Sequence, residues 1–163
     1  MAIGSVSDDG CRLSADGLTS FYCALGALAV RANNEQMFTQ LCMSCAYLCN
    51  MASSSTIAGG GDGSKILTEH SIAALRGISK IPRGQEKLLH NLFDQCLPQM
   101  SPCITAYINE DDILKAYVLL LRDYAEAHLA SYSAISSRVL YGASLSALER
   151  CSSRLKLAVQ GTG

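Results

Sequence analysis

Asn109-Glu-Asp-Asp-Ile-Leu-Lys-Ala-Tyr-Val-Leu-Leu-Leu-Arg-Asp-Tyr-Ala-Glu-Ala-His-Leu-Ala130 decides the fold class. Its apolar positions, Ile113, Leu114, Tyr117, Val118, Leu120, Leu121, Tyr124, Ala125 and Leu129, recur at three- and four-residue steps, the period of a helix. Val118 to Leu121 is apolar without a break. A helix apolar on most of its circumference belongs in the middle of a domain, with partners on several sides. Asn109 can accept hydrogen bonds from the free N–H groups of the first turn. Glu110, Asp111 and Asp112 follow where the helix dipole favours negative charge. The apolar run is shorter than the ~20 residues a membrane span needs and is flanked by acids.

Outward from this stretch the same period repeats. Leu18, Phe21, Tyr22, Leu25, Leu28 and Ala29 form one stripe, with Asp16 as its expected cap and Gly26 inside it. Asn33-Asn34 breaks the pattern, and Asn34 can cap a second helix carrying Met37, Phe38, Leu41, Cys45, Leu48 and Cys49 on one face. So short a break makes the two an antiparallel pair. Gly59-Gly-Gly-Asp-Gly-Ser64 reads as a flexible loop. It lacks the Gly-Lys-Ser/Thr ending of a nucleotide-binding loop.

A third helix is expected over Thr68–Ser79, and a fourth over Gln85–Leu97 with Leu88, Leu89, Leu92, Phe93 and Cys96 at helical spacing. Pro98 and Pro102 bracket a connector. Ser131–Gln160 is rich in alanine and serine, and Gly142 is expected to divide it; its small residues permit close helix approach. The only strand candidate, Ile104–Ile108, has no partner. Met1–Leu13 shows no clear period. The expectation is all-α, with six to eight helices in two packed sub-bundles. These cover 1–80 and 85–163, the second built around 109–130, with 81–84 as the linker.

A chain of 163 residues makes one domain or two small halves sharing a core. It can bury roughly 70% of its unfolded surface without a disulfide or metal. Thirteen basic and fourteen acidic residues leave a formal charge of −1, which gives no strong bulk attraction to nucleic acid or anionic lipid. Only 17% of residues are charged, and mean hydropathy is positive. So apolar a chain is expected to cover some of its surface by self-association.

Cys11, Cys23, Cys42, Cys45, Cys49, Cys96, Cys103 and Cys151 make an even count of eight. Met1–Ser7 has neither a basic start nor an apolar run, so no signal peptide is expected. With alanine at position two, myristoylation is not expected. The cysteines then read as free thiols packing as small hydrophobes. Cys42, Cys45 and Cys49 share a helical face with Phe38, Leu41 and Leu48. Zinc needs a second ligand pair, and the scattered His70, His90 and His128 do not supply a His-x-x-x-His spacing. No cofactor is expected. Ser, Cys and His occur in no arrangement that fixes a nucleophile beside a base, and the acids Asp111 and Asp112 sit at a helix start where acids belong anyway. An enzyme is not expected.

The basic residues of the middle section are Lys65, Arg76, Lys80, Arg83, Lys87, Lys115 and Arg122. A joint interaction patch built from Arg76, Lys80, Arg83, Lys87, Lys115 and Arg122 is the candidate binding site, against the plainer reading of solvated helix faces. His128 follows the inward positions Leu121, Tyr124 and Ala125 by helical steps and is the candidate pH sensor.

Asn109-Glu-Asp111-Asp-Ile-Leu-Lys115-Ala-Tyr117, then Arg122-Asp123, resembles the central helix of the matrix proteins of influenza-type viruses (orthomyxoviruses). Ser131-Tyr132-Ser133-Ala134 downstream is similar to a family segment that follows a longer connection. Ile81-Pro82-Arg83-Gly84 before Leu89–Leu97 resembles the family's Val-Pro turn and next helix, and Gly17-Leu18 through Asn33-Asn34 to Leu41 is similar in helix order. The resemblance covers about two-thirds of the chain at low identity. It implies the N-terminal domain of a divergent, thogotovirus-like matrix protein, with a C-terminal domain beyond Gly163. It implies self-association into a layer beneath the envelope, in contact with ribonucleoprotein, the inner membrane face and glycoprotein tails, and a role in assembly and budding. The implied locations are the virion, host cytoplasm, plasma membrane and nucleus. Only Lys115 and Arg122 match the family's basic cluster, whose other positions hold Val118, Leu119 and Leu121, so weak RNA binding at most is expected. Other functional expectations are a helical adaptor, such as a viral apoptosis inhibitor holding a partner helix, and a helical nucleocapsid protein.

Overall fold

The computed structural model describes residues 14–81, 84–128 and 134–160, with side chains of the last segment described over 137–153. The described residues form an all-α fold of seven helices and no strand. These are α1 (Ala15–Arg31), α2 (Glu35–Ile57), α3 (Asp62–Ser79), α4 (Glu86–Gln99), α5 (Ser101–Ala106), α6 (Asp111–His128) and α7 (Ala134–Gln160). Met1–Leu13, Pro82, Arg83 and Leu129–Ser133 lie outside the described residues.

Ser14, rather than Asp16, caps α1, its hydroxyl accepting from Gly17 N–H at 3.1 Å. Asn34 caps α2 as its position predicts, accepting from Met37 N–H at 2.9 Å. Asn33 turns the chain at φ 50, a left-handed conformation asparagine tolerates.

The glycine-rich stretch is a tight joint instead of a long loop. α2 continues through Ser53–Ser55 to Ile57, and α3 already begins at Asp62. Gly59, Gly60 and Gly61 have φ of 127, 69 and 121, values that strain any residue with a Cβ. Tyr107 donates its hydroxyl to Gly61 O, and the Thr56 and Ser64 hydroxyls are bonded at 2.7 Å across the joint.

The helix at the centre is α3, where the apolar pattern points to the 109–130 helix. Ten residues of α3 are buried against eight of α6, and α3 packs against α1, α2, α4 and α6. α6 keeps an exposed face at Lys115, Val118 and Arg122. Small residues explain the difference. Ala73 and Gly77 let α1 approach so closely that the Thr19 hydroxyl bonds Ala73 O at 3.1 Å. Buried Thr68, Ser71 and Ser79 hydroxyls donate to Ser64 O, Leu67 O and Arg76 O within the helix, so polar residues sit at the centre with their hydroxyls satisfied.

One cluster of buried side chains runs from Tyr22 in α1 to Ala147 in α7, with Phe38, Ile72, Leu75, Phe93, Ile113 and Tyr124 among its largest members. Ile81 belongs to this core, and α3 packs on α6 across the 81–84 boundary. Ile104–Ala106, part of the strand candidate, is helical in α5, with Pro102 in the first turn where its missing N–H costs nothing. Pro98 sits inside the last turn of α4 instead of ending it, and Gly142 does not divide α7.

Candidate interaction surfaces

Asp123 gathers part of the predicted basic patch. Arg76, in the last turn of α3, reaches across to α6 and donates Nη2 to Asp123 Oδ2 at 3.1 Å. Lys80 Nζ lies 3.6 Å from the same oxygen, and Arg122 holds Oδ1 at 2.7 Å. Glu126 adds a weaker contact to Arg122 at 3.9 Å. Asp123 is 8% exposed, whereas Lys80 and Arg122 are about half exposed. Burial pushes the Asp123 carboxyl up; hydrogen bonds from Arg122 and Arg76 and the charges of Arg76 and Lys80 outweigh it, so its pKa lies below the usual value. Three cations on one carboxylate leave a positive surface, reduced by Glu126.

The other patch residues are placed less tightly. Lys115 is exposed one heptad before Arg122, with exposed Val118 between them, giving a mixed basic and apolar stripe on α6. Lys87 is exposed on α4, and Arg83 lies outside the described residues. Lys65 is engaged elsewhere, 2.7 Å from Glu110. Asp123 was not legible as the organiser, since Arg-Asp within a helix reads as an ordinary solvated pair. Its signal is position: it falls between the core residues Leu120 and Tyr124.

His128 is 5% exposed, and its Nε2 donates to Ser79 O at 2.9 Å, because a carbonyl can only accept. The sequence did not single out its partner His90. The two rings lie 5.9 Å apart, edge to face, and His90 Nδ1 is 2.6 Å from the Tyr124 hydroxyl. Tyr124 stacks on Phe93 at 3.8 Å. Burial, then the charge of His128, lowers the His90 pKa against the opposing pull of Asp94 and Glu86.

No family model, characterised protein or solved structure matches this chain.

Cys42, Cys45 and Cys49 of α2 are buried with Cys96 and Cys103. Burial and then Cys96 push the Cys42 thiol up to about 12, and burial raises Cys45. The hydrogen bond with Cys96, then burial, raises Cys49. Thiols held protonated are poor nucleophiles and poor ligands. Among the described residues no group of three or more His, Cys, Asp or Glu side chains is arranged to hold a metal, and no helix is long and apolar enough to cross a membrane.

Apolar side chains are exposed in ordered rows. On α2, Met43, Tyr47 and Met51 recur every four residues, and Ile57 continues past them. On α1, Phe21 and Leu28 are exposed one heptad apart. On α7, Tyr141, Leu145 and Leu148 form a row at four- and three-residue steps. Rows of this kind, as opposed to scattered single residues, mark contact surfaces.

Proposed function

We propose that this chain is a layer-forming structural protein of the matrix type, as its resemblance to orthomyxovirus matrix proteins implies. The observation that carries the reading is the pair of exposed apolar rows on separate helices, Met43-Tyr47-Met51 on α2 and Tyr141-Leu145-Leu148 on α7. One row would make a closed dimer. Two rows on different elements give each copy two contacts, which is what an open array requires. Low net charge leaves little repulsion between copies. The basic cluster of Arg76, Lys80 and Arg122 is a third surface, suited to ribonucleoprotein or to the anionic inner face of a membrane. Because Asp123 neutralises part of that cluster, binding to bare RNA is weak and salt-sensitive.

Sedimentation across a concentration series tests the reading. The parent chain grows beyond a dimer at micromolar concentration, Tyr47→Glu and Leu148→Glu each stop growth at a dimer, and the double variant is a monomer. A parent chain that stays monomeric at high micromolar concentration overturns it. Monomers that capture a helical peptide would favour an adaptor. Tight RNA binding with a steep salt dependence would favour a nucleocapsid protein.

A further inference from the structure

Between α7 and the α4–α5–α6 face lies a cavity of about 440 Å³, within the ~300–1,000 Å³ range of small-molecule sites. Its floor is buried and apolar at Leu97, Ile104 and Ala147. Along α7 the wall is cut low by Gly142, Ala143 and Ser146, small residues that leave space instead of filling it. Arg138 and Arg150 stand at the two ends of this wall, twelve positions and so about 18 Å apart on a helix. The result is an elongated apolar trough with a guanidinium at each end.

Two features of the trough call for an anion. Neither Arg138 nor Arg150 has a carboxylate within salt-bridge distance among the described residues. Arg150 is nonetheless held in place, Nε donating to Ser146 Oγ at 3.1 Å and Nη1 to Thr105 Oγ1, with donors left over. Tyr117 lines the same cavity and is 3% exposed, yet its hydroxyl has no hydrogen-bond partner among the described residues. Burial pushes that hydroxyl's pKa up to about 12 while the charge of Arg150 pulls the other way, so the phenol remains a donor. That donor faces the cavity and is open to a bound acceptor.

We propose that this trough binds a single-chain anionic amphiphile of the fatty-acid class. Its acyl chain lies over Leu97, Ile104 and Ala147. Its carboxylate is held by Arg150 and the Tyr117 hydroxyl, where a positioned guanidinium and an unused donor meet. An uncharged chain would leave both groups unanswered. A diacyl lipid has a second chain that a trough of this volume does not house.

Calorimetric titration with laurate, with dodecanol as the uncharged probe of equal chain length, tests the proposal. It does not depend on the layer reading, because it counts ligand per chain whatever the assembly state. One laurate binds per chain, and dodecanol binds about tenfold more weakly or worse, the size of one charge-assisted hydrogen bond. Arg150→Gln weakens laurate about tenfold and leaves dodecanol unchanged. Gly142→Leu removes both. A Cβ at Gly142 meets nothing within 4 Å, and leucine is the better helix former, so this variant fills the trough while its melting temperature holds or rises. Absence of saturable laurate binding overturns the proposal. So does equal binding of laurate and dodecanol, or full binding by a folded Gly142→Leu. If phosphatidylserine vesicles bind and laurate does not, the arginines face a bilayer and the proposal also fails.

Discussion

Gly77→Ala probes the close approach of α1 to α3. A methyl group at Gly77 would overlap the Thr19 carbonyl of α1 and stand 2.7 Å from Tyr22 Cβ and 3.2 Å from Cys23 N. Carbon atoms in contact prefer ~3.5–4.0 Å, so α1 must retreat by about 1 Å. Thr19 O and Cys23 N are backbone atoms and cannot rotate aside. The retreat stretches the Thr19–Ala73 hydrogen bond, now 3.1 Å, beyond its useful length, at a cost of about 1 kcal/mol. Overpacking of this kind costs ~1–3 kcal/mol. Alanine recovers about 1 kcal/mol of helix propensity. The net loss is about 2 kcal/mol, or roughly 4–8 °C in melting temperature for a chain of this length.

Two other glycines serve as controls. At Gly26 the methyl would fall on Cδ1 and Cγ1 of the buried Ile81 side chain and on no backbone atom, so Gly26→Ala also destabilises, but through a side chain that must change rotamer and not through a helix that must retreat. At Gly63, in the first turn of α3, it meets nothing within 4 Å, and Gly63→Ala stabilises by ~0.4–1 kcal/mol. Thermal melts by circular dichroism rank the three. If Gly77→Ala melts with or above the parent while Gly63→Ala gains stability, α1 and α3 do not touch this closely and α3 is not the centre of the fold.

The other predictions concern α6. Asp123→Asn removes the anion shared by Arg76, Lys80 and Arg122. Breaking a buried pair costs ~3–5 kcal/mol, but the half-exposed Lys80 and Arg122 lower this to about 2 kcal/mol, and chemical denaturation at pH 7 measures it. Leu121→Asp buries an unpaired carboxylate between Tyr117 and Tyr124 and costs several kcal/mol, whereas Lys115→Ala at an exposed site leaves the melting point within ~0.5 kcal/mol of the parent; equal melts would refute the burial of this face. His90→Gln flattens the stability profile below about pH 6.5, and a profile unchanged from the parent would remove His90 as its cause.

The fold class was legible because the apolar period survives in α1, α2, α4 and α6, and because Asn34 has the chemistry of a cap at the one break between α1 and α2. The centre was not. α3 is buried through Ser64, Thr68, Ser71, Ala73, Ala74 and Gly77, residues that a hydrophobicity pattern scores as weak or polar. Their burial depends on hydroxyls turning back to their own helix and on neighbours close enough to need no side chain. The unbroken Val118–Leu121 run misled in the opposite direction, since Val118 is 44% exposed. Of the six residues expected in a basic patch, Arg76, Lys80 and Arg122 come together around Asp123. That organisation was not legible, since Arg76 and Asp123 lie 47 positions apart and meet only through the α3–α6 packing.

Acid sensing separates the two polar clusters that α3 and α6 share. Asp123 has a lowered pKa, so its stabilisation is complete above the unfolded value of ~3.9 and is lost only as pH falls through the lower folded value. It is silent at the pH of mild acidification. His90 has a lowered pKa as well, but for a base the consequence is reversed. The neutral ring carries no penalty above its unfolded pKa of ~6.5, the penalty grows as pH falls from there to the folded pKa, and below that it is constant. A proton on His90 lands 5.9 Å from the His128 ring and forces the Tyr124 hydroxyl, now 2.6 Å away, into the acceptor role. His128 in turn holds Ser79, the last residue of α3, and Lys80 of the charge cluster is the next residue along. Any loosening that begins below about pH 6.5 therefore starts at His90 and reaches the basic surface through Ser79. In His90→Gln that loosening is absent and the acid limb below the unfolded carboxyl value of ~3.9 persists; in Asp123→Asn the reverse holds. If Asp123→Asn, and not His90→Gln, abolishes the change near pH 6, the loosening starts at the charge cluster and the histidines only follow it.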